Sequence, residues 1–240
     1  MTESTTRYVA FDIETAKEVP GDDFVWRPHR PLGISCAATW ASDADQPVLW
    51  HGKRPDGSPS PKMSRDEALE LARYLAQMTE SGYTVLTWNG LSFDFDILAE
   101  ESGDFGLCKK CALGHVDMMF HLLCLLGYPV GLGKAAQGMG VEGKPAGMSG
   151  EKAPRLWAAG HYQQVLDYVA QDVRIALDVA LAVQRRHQFA WINRKGTRRC
   201  EPMPSGWLSV ERALRLPLPD TSWMTSPISR SESLAWMSGK

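Results

Sequence analysis

Carboxylates that alternate along a strand can gather a cation, and one such pair stands near the start of this chain. Residues 8–14 read Tyr-Val-Ala-Phe-Asp-Ile-Glu. In an extended strand, residues two apart share a face. Asp12 and Glu14 therefore aim at one spot, while Phe11 and Ile13 point the other way. Two like charges ending an apolar strand are costly unless something positive sits between them. A hard divalent cation suits oxygen ligands. An edge strand running into a solvated acidic turn would read the same way, so the pair alone leaves both readings open.

Two further stretches place acids in a suitable context. The first is Trp88-Asn89-Gly90-Leu91-Ser92-Phe93-Asp94, where an apolar run meets a turn and then a helix. If that strand lies beside the first, Asp94 emerges near Asp12. Asp96 competes with it, because on a helix the two diverge by about 200° and only one can face the site. The second is Tyr168-Val-Ala-Gln-Asp172. Residues four apart share a helix face, so phenol and carboxylate project side by side. Each acid also has a plain structural reading, as a first-turn charge or a helix-surface group.

The elements that must position these groups are legible in outline. A strand over 8–13 leads into a long loop, 15–31, carrying Phe24 and Trp26. Apolar runs at 32–40 and 47–50 follow as a meander. Ser64 opens a helix with Asp66 and Glu67 in its first turn, and Gly82 ends it. A strand over 83–88 precedes a helix that Ser92 can cap. Residues 103–111 read as a loop, and Asp117 caps an apolar helix to Leu126. The glycine-rich stretch 127–150 holds one short helix near 134–139. A long helix spans about 161–188. A hairpin turning at Lys195-Gly196 and a short helix at 209–216 follow. Strand–helix alternation after a meander predicts an α/β domain with a mixed central sheet flanked by helices, its ligand site at the carboxyl ends of the strands. The expected organisation is a domain over 1–189 and an appendage over 190–240 packed on it.

Composition narrows the classes. The 240 residues are 44% apolar and 22% charged, with a net charge of −2. That is ordinary for a globular protein and gives no global pull toward polyanions. No stretch is long and apolar enough for a membrane span, and the first residues lack a leader pattern, so a cytoplasmic, membrane-free protein is expected. Five cysteines without an export signal argue against a disulfide framework. Cys108 and Cys111 have zinc-ligand spacing with His115 nearby, but no second pair completes a site. His115 and His121 flank Asp117, and the simpler reading there is a capped helix.

Taken in order, Phe11-Asp12-Ile13-Glu14-Thr15, then Trp88 to Asp94, then Tyr168 to Asp172 resemble the three motifs of the DEDD superfamily of 3′→5′ exonucleases. The match is to the tyrosine branch (DEDDy), and it is similar to the proofreading domain of family B DNA polymerases. The histidine branch would carry its histidine where this chain has Asp167. The resemblance covers roughly residues 7–185. It implies an RNase H-like fold and two divalent cations, Mg²⁺ or Mn²⁺, held by Asp12, Glu14, Asp94 and Asp172, and it selects Asp94 over Asp96. It implies that Tyr168 positions the attacking water and that the Thr15 backbone meets the terminal nucleotide.

Such chemistry needs a single strand with a free 3′ end, threaded into the site. Phe24, Trp26 and Trp88 are candidates for stacking on bases. Asn89 belongs to the same set. Lys134 and Lys144 could reach phosphate, and the basic run 185–199 could guide the strand. The expected activity is that of a free-standing nuclease releasing nucleoside monophosphates from single-stranded DNA. The alternatives are an exoribonuclease of the same superfamily, or a non-catalytic nucleic-acid-binding module on the same fold.

Overall fold

The computed structural model describes residues 6–21, 25–143 and 150–238. Five strands form one sheet: β1 (Arg7–Thr15), β2 (Ile34–Ala41), β3 (Val48–His51), β4 (Tyr83–Thr87) and β5 (Val116–Asp117). Their order is β3-β2-β1-β4-β5. β1 runs antiparallel to β2 and parallel to β4, and β4 runs parallel to β5. This is the expected mixed sheet, with the β1 and β4 carboxyl ends side by side. The helices are α1 (Arg65–Glu80), α2 (Asp94–Ser102), α3 (Phe105–Gly114), α4 (Met118–Leu126), α5 (Leu132–Met139), α6 (Ala153–Ala158), α7 (Tyr162–Arg186) and α8 (Val210–Ala213). A hairpin, β6 (Gln188–Ile192) with β7 (Arg198–Pro202), follows α7. A 3₁₀ segment over Arg230–Ser238 lies at the end of the described chain. Among the described residues, no helix is long and apolar enough to cross a membrane.

The alternation of β1 divides the core. Val9, Phe11 and Ile13 pack with α1, α2 and α3, among them Leu71, Leu75 and Phe95. Tyr8 and Ala10 face α7, with Val169, Val173 and Ala176. The α7 face of β1 thus begins apolar and ends with Asp12 and Glu14. Small residues beneath the helix, Ala10, Cys36 and Ala38, are all fully buried and let α7 lie close across β1 and β2. Gly138 serves a similar close approach, because a β-carbon there would overlap the backbone of Trp191 in β6.

Several local readings hold, and two need correction. Ser64 and Glu67 form a reciprocal capping box. Asp117 accepts from the Phe120 amide at the start of α4. Residues 103–111, expected as a loop, are largely helix: Asp104 caps α3 through the Leu107 amide. Gly103 and Gly106 suggested a loop, but Gly103 is the left-handed end of α2, and burial of Cys108 and Ala112 outweighs the helix cost of Gly106. Ser92 does not cap α2. Its hydroxyl donates to Asn89 Oδ1, and the preceding position is Phe93, which gives no side-chain cap. The cysteines are free, and Cys108 is buried within α3 beside Ser102, so no zinc site forms among the described residues.

The two histidines beside Asp117 are structural. His115 Nδ1–H donates to Ala112 O at 2.6 Å, so Nε2 accepts from Thr87 Oγ1 at 2.9 Å. Thr87 Oγ1 in turn accepts from the Gly90 amide. His121 Nδ1 accepts from the Leu208 amide. Burial pushes both imidazoles down to about 4. Unfolded, each titrates near 6.5. The unfolded chain therefore binds more protons as pH falls through that window, and stability present above about 6.5 is lost toward about 4. Each group accounts for roughly 3 kcal/mol. The buried carboxyls of Asp94 and Asp117, raised in the folded chain, act in the opposite sense over the same range, so the histidine contribution is read as a difference. In urea unfolding between about pH 6.5 and 4 we expect the parent to lose stability relative to the double variant His115→Gln/His121→Gln; a difference that does not change with pH would contradict the assignment.

Candidate active site

The carboxyl ends of β1 and β4 and one face of α7 meet at a cluster of acids. Asp12, Glu14 and Asp172 each present an oxygen, and these oxygens lie within 4.8 Å of one another. Asp12 is half-buried, Glu14 and Asp172 are buried, and Tyr168 sits beside them at 6% exposure. Asp94 opens α2 and is 2% exposed. Its Oδ1 accepts from the Ile13 amide at 3.0 Å, which ties α2 to β1 between the two strand acids. Asp96 points elsewhere: it is wholly buried against Arg30 at 2.8 Å, with Arg27 at 3.6 Å. The geometry separates the two acids as helix angle required, one toward β1 and one into an arginine pair.

Electrostatics follow from packing like charges in little water. Burial pushes Asp94 up to about 7 and its backbone hydrogen bonds pull the other way, while Asp117 adds a raising charge. The Tyr168 phenol is held well above its usual range, first by burial and then by Asp172, Glu14 and Asp12. Tyr168 is therefore a neutral hydrogen-bonding group here. Behind Glu14, burial and the Glu14 charge hold the Cys36 thiol protonated and well above its ordinary range. The donor set of Asp12, Glu14 and Asp172 is thus hard oxygen, of the kind that suits a hard divalent cation.

A second layer fixes the loop before Asp94. Asn89 has a positive φ of 76°, a conformation asparagine tolerates. The Asp117 carboxylate accepts from the amides of Asn89 and Leu91 at 3.0 and 2.9 Å, as well as capping α4. Gly90 cannot carry a side chain without meeting Thr87. From the far end of the chain, buried Trp236 donates Nε1–H to Leu91 O at 2.7 Å. We expect Trp236→Phe, which keeps much of the ring volume but removes the donor, to cost about 1–2 kcal/mol. Urea unfolding measures this, and a neutral result would show that Leu91 O does not depend on the indole.

Other anticipated substrate contacts are spread unevenly. Thr15 is buried at the β1–β2 irregularity, its hydroxyl donating to Lys17 O. Trp26 is 8% exposed, edge-on to Phe93 and covered by Arg27 and Arg30. That makes it a wall of the core rather than an open stacking platform. Trp88 is half-buried, its indole donating to Val130 O. Lys134 is exposed in the first turn of α5. Phe24 and Lys144 lie outside the described residues. Arg185, the first residue of the basic run, is thirteen residues beyond Asp172, roughly 20 Å along α7. Arg186 and Arg198 are spent on the carbonyls of Met139 and Gly138. Gly150 borders the cluster, its β-carbon position lying 3.8 Å from Glu14 Oε2 and 4.0 Å from the Tyr168 hydroxyl. Nothing in its local sequence marked it. The role of Asp117 beyond helix capping was also hidden, because it depends on β5 lying beside β4.

No curated protein sequence matches this chain. Among solved structures, a family B DNA polymerase from the hyperthermophilic archaeon Pyrobaculum calidifontis superposes with a TM-score of 0.54 at 18% identity, over 74% of this chain and 24% of the polymerase chain. The chain thus spans about a quarter of that polymerase, and the likeness is one of fold. A product-bound exonuclease I gives a TM-score of 0.38 at 14% identity, over 75% of this chain and 43% of its own. Residues 59–182, including Asp94, Tyr168 and Asp172, match the RNase_H superfamily. That match takes in just over half of the 240 residues, and on it the chain belongs to the RNase_H superfamily.

Proposed function

We propose that this protein is a metal-dependent 3′→5′ exonuclease of the tyrosine branch, hydrolysing single-stranded DNA to nucleoside monophosphates. The observation that carries the reading is the meeting of Asp12, Glu14 and Asp172 within 4.8 Å, with Asp94 hydrogen-bonded between the two strand acids. Four carboxyl groups brought from β1, α2 and α7 repel one another unless cations or protons intervene. Two Mg²⁺ or Mn²⁺ ions held by these acids would supply Lewis-acid charge for the attacking and leaving oxygens. Asp94 surrenders its proton when the site loads, which costs little near neutral pH. Tyr168, protonated throughout, orients the attacking water by hydrogen bonding rather than removing its proton.

On this reading, residues 1–189 form the nuclease unit. Residues 190–240 are an appendage packed on it, and through Trp236 they steady the loop before Asp94. Thr15, Trp88, Asn89 and Lys134 are the described residues we assign to strand binding. DNA is favoured over RNA because the polymerase sharing the fold works on DNA.

The test uses matched single strands labelled at one end and blocked at the 3′ or 5′ terminus, in DNA and RNA, with Mn²⁺ or with chelator. Loss of single nucleotides from free 3′ ends of DNA, dependent on Mn²⁺, is expected. Absence of metal-dependent loss from any free 3′ end would sink the proposal. Faster loss from RNA would overturn the choice of DNA.

A further inference from the structure

Residues 214–229 form a loop between α8 and the 3₁₀ segment. Its ends are tied together. The Arg230 guanidinium donates to the carbonyls of Leu216 and Pro217, and to that of Cys124 in α4. Within the loop, the Ser222 amide donates to Asp220 Oδ1 and the Met224 amide to Thr221 O. Closed loops packed by their own contacts are frequently functional. This one leaves three large apolar side chains in the open: Leu218, Trp223 and Ile228 are 82%, 66% and 44% exposed. Exposed apolar groups gathered in this way mark an interaction site.

Trp223 is nonetheless held in place. Its Nε1–H donates to Asp220 O at 3.1 Å, and its ring meets that of Tyr128 at 6.1 Å between centroids and 77° between planes. Pro219 and Thr221 lie against Gly127, where a β-carbon would overlap Thr221. The loop is thus seated on residues 127–128, and from there contacts run on to the candidate active site. Val130 O accepts from the Trp88 indole. Pro129 and Ile228 share one cleft, of about 200 Å³, with Asn89, Ser92 and Arg27. Trp88 and Asn89 open the turn that ends at Asp94, so the exposed pair is continuous with the loop that sets an active-site acid.

Charge is not what this surface offers. Arg27 and Arg199 are exposed, and the Arg199 charge acts on the Tyr128 phenol, which burial raises. Glu201 acts on the same phenol in the opposite sense, and Glu232 lines the cleft. Asp117, also in that wall, is taken up by its three amides. With acids beside the arginines, affinity must come from aromatic and apolar contact. Stacking of bases on aromatic side chains provides this for any sequence.

We propose that Trp223, backed by Tyr128, grips the single strand on the 5′ side of the nucleotide being removed, by stacking on a base outside the acid cluster. This rests on the nuclease reading above and gives the loop 214–229 a task in it. Because the indole is fixed before the strand arrives, stacking costs little ordering entropy. A strand short enough to lie wholly among the acids does not reach it.

Polarisation of a 5′-labelled DNA strand of about sixteen nucleotides, with the full chain in chelator, reads this grip without hydrolysis. We expect saturable binding, weakened about tenfold by Trp223→Ala, the size of one lost base–aromatic stack, and largely restored in Trp223→Phe. With Mn²⁺, single-turnover hydrolysis should show the same rise in half-saturating concentration for the long strand and none for a dinucleotide. The proposal is overturned if the parent binds no strand, if Trp223→Ala matches the parent on the long strand, if Trp223→Phe is as weak as Trp223→Ala, or if dinucleotide and long strand weaken alike. The two readings fail separately. Hydrolysis by the parent with no effect of Trp223→Ala removes only the grip. A parent that binds the strand through Trp223 but hydrolyses nothing keeps the grip and removes the nuclease. Light scattering tests a second copy as occupant: if Trp223→Ala dissociates an assembly of the parent and leaves strand affinity unchanged, the loop belongs to self-association and the proposal falls.

Discussion

Replacing Asp12 by Asn is expected to lower metal-dependent hydrolysis of a labelled single strand by roughly a thousandfold or more, about 4 kcal/mol in the barrier. The substitution preserves shape and removes one of the charges that meet at the cluster. Because those charges repel without a cation, the metal-free variant should be at least as stable as the parent. The parent should gain thermal stability on adding Mn²⁺, since an ion that binds only the folded chain stabilises it by mass action. The variant should lose most of that gain. Activity and melting temperature, each with Mn²⁺ and with chelator, give four readings from two proteins. A variant that keeps the parent's activity would remove Asp12 from the hydrolytic site. One that loses activity but keeps the full metal-dependent shift would move the principal cation site elsewhere.

The same four acids illustrate what residue order can and cannot convey. That Asp12 and Glu14 share a face followed from strand alternation, and that Tyr168 and Asp172 share one followed from helix geometry. The adjacency of β1 and β4 was conditional in the sequence. It became definite only with the parallel pairing of Arg7–Ala10 against Tyr83–Leu86. The choice between Asp94 and Asp96 shows the limit most plainly. Helix angle said only that one could face the site; the partner of the other, Arg30, lies 66 residues away and no local pattern announces it. The helix α3 was missed because Gly103 and Gly106 act on local propensity, whereas burial of Cys108 and Ala112 is a tertiary gain. The basic run 185–199 was readable as charge but not as position: Arg185 and Arg186 end α7, while Arg198 and Arg199 lie on β7.

The second large effect belongs to Asp117, which touches no reacting group. Its carboxylate receives the amides of Asn89, Leu91 and Phe120 in a site 2% exposed. Burial holds its carboxyl above the ordinary range even though all three amides favour the charged form. Asp117→Ala removes an acceptor from three buried donors at once, and α4 loses its cap. The expected cost is roughly 3–5 kcal/mol, a large fraction of a typical domain's stability. Asp117→Asn is the more informative variant. One oxygen remains for two of the donors, while the amide nitrogen faces the third, so a loss of about 2 kcal/mol is expected. The loop that sets the start of α2 should then relax, and Asp94 should leave the Ile13 amide part of the time. Turnover should consequently fall about tenfold or more, and strand affinity should weaken by less, since of the residues assigned to the strand Asn89 moves with the loop while Thr15 and Lys134 lie outside it. Urea unfolding and single-turnover kinetics on Asp117→Asn measure both quantities. A variant that is destabilised yet turns over like the parent would confine Asp117 to capping α4, and would leave the position of Asp94 to its own bond with β1.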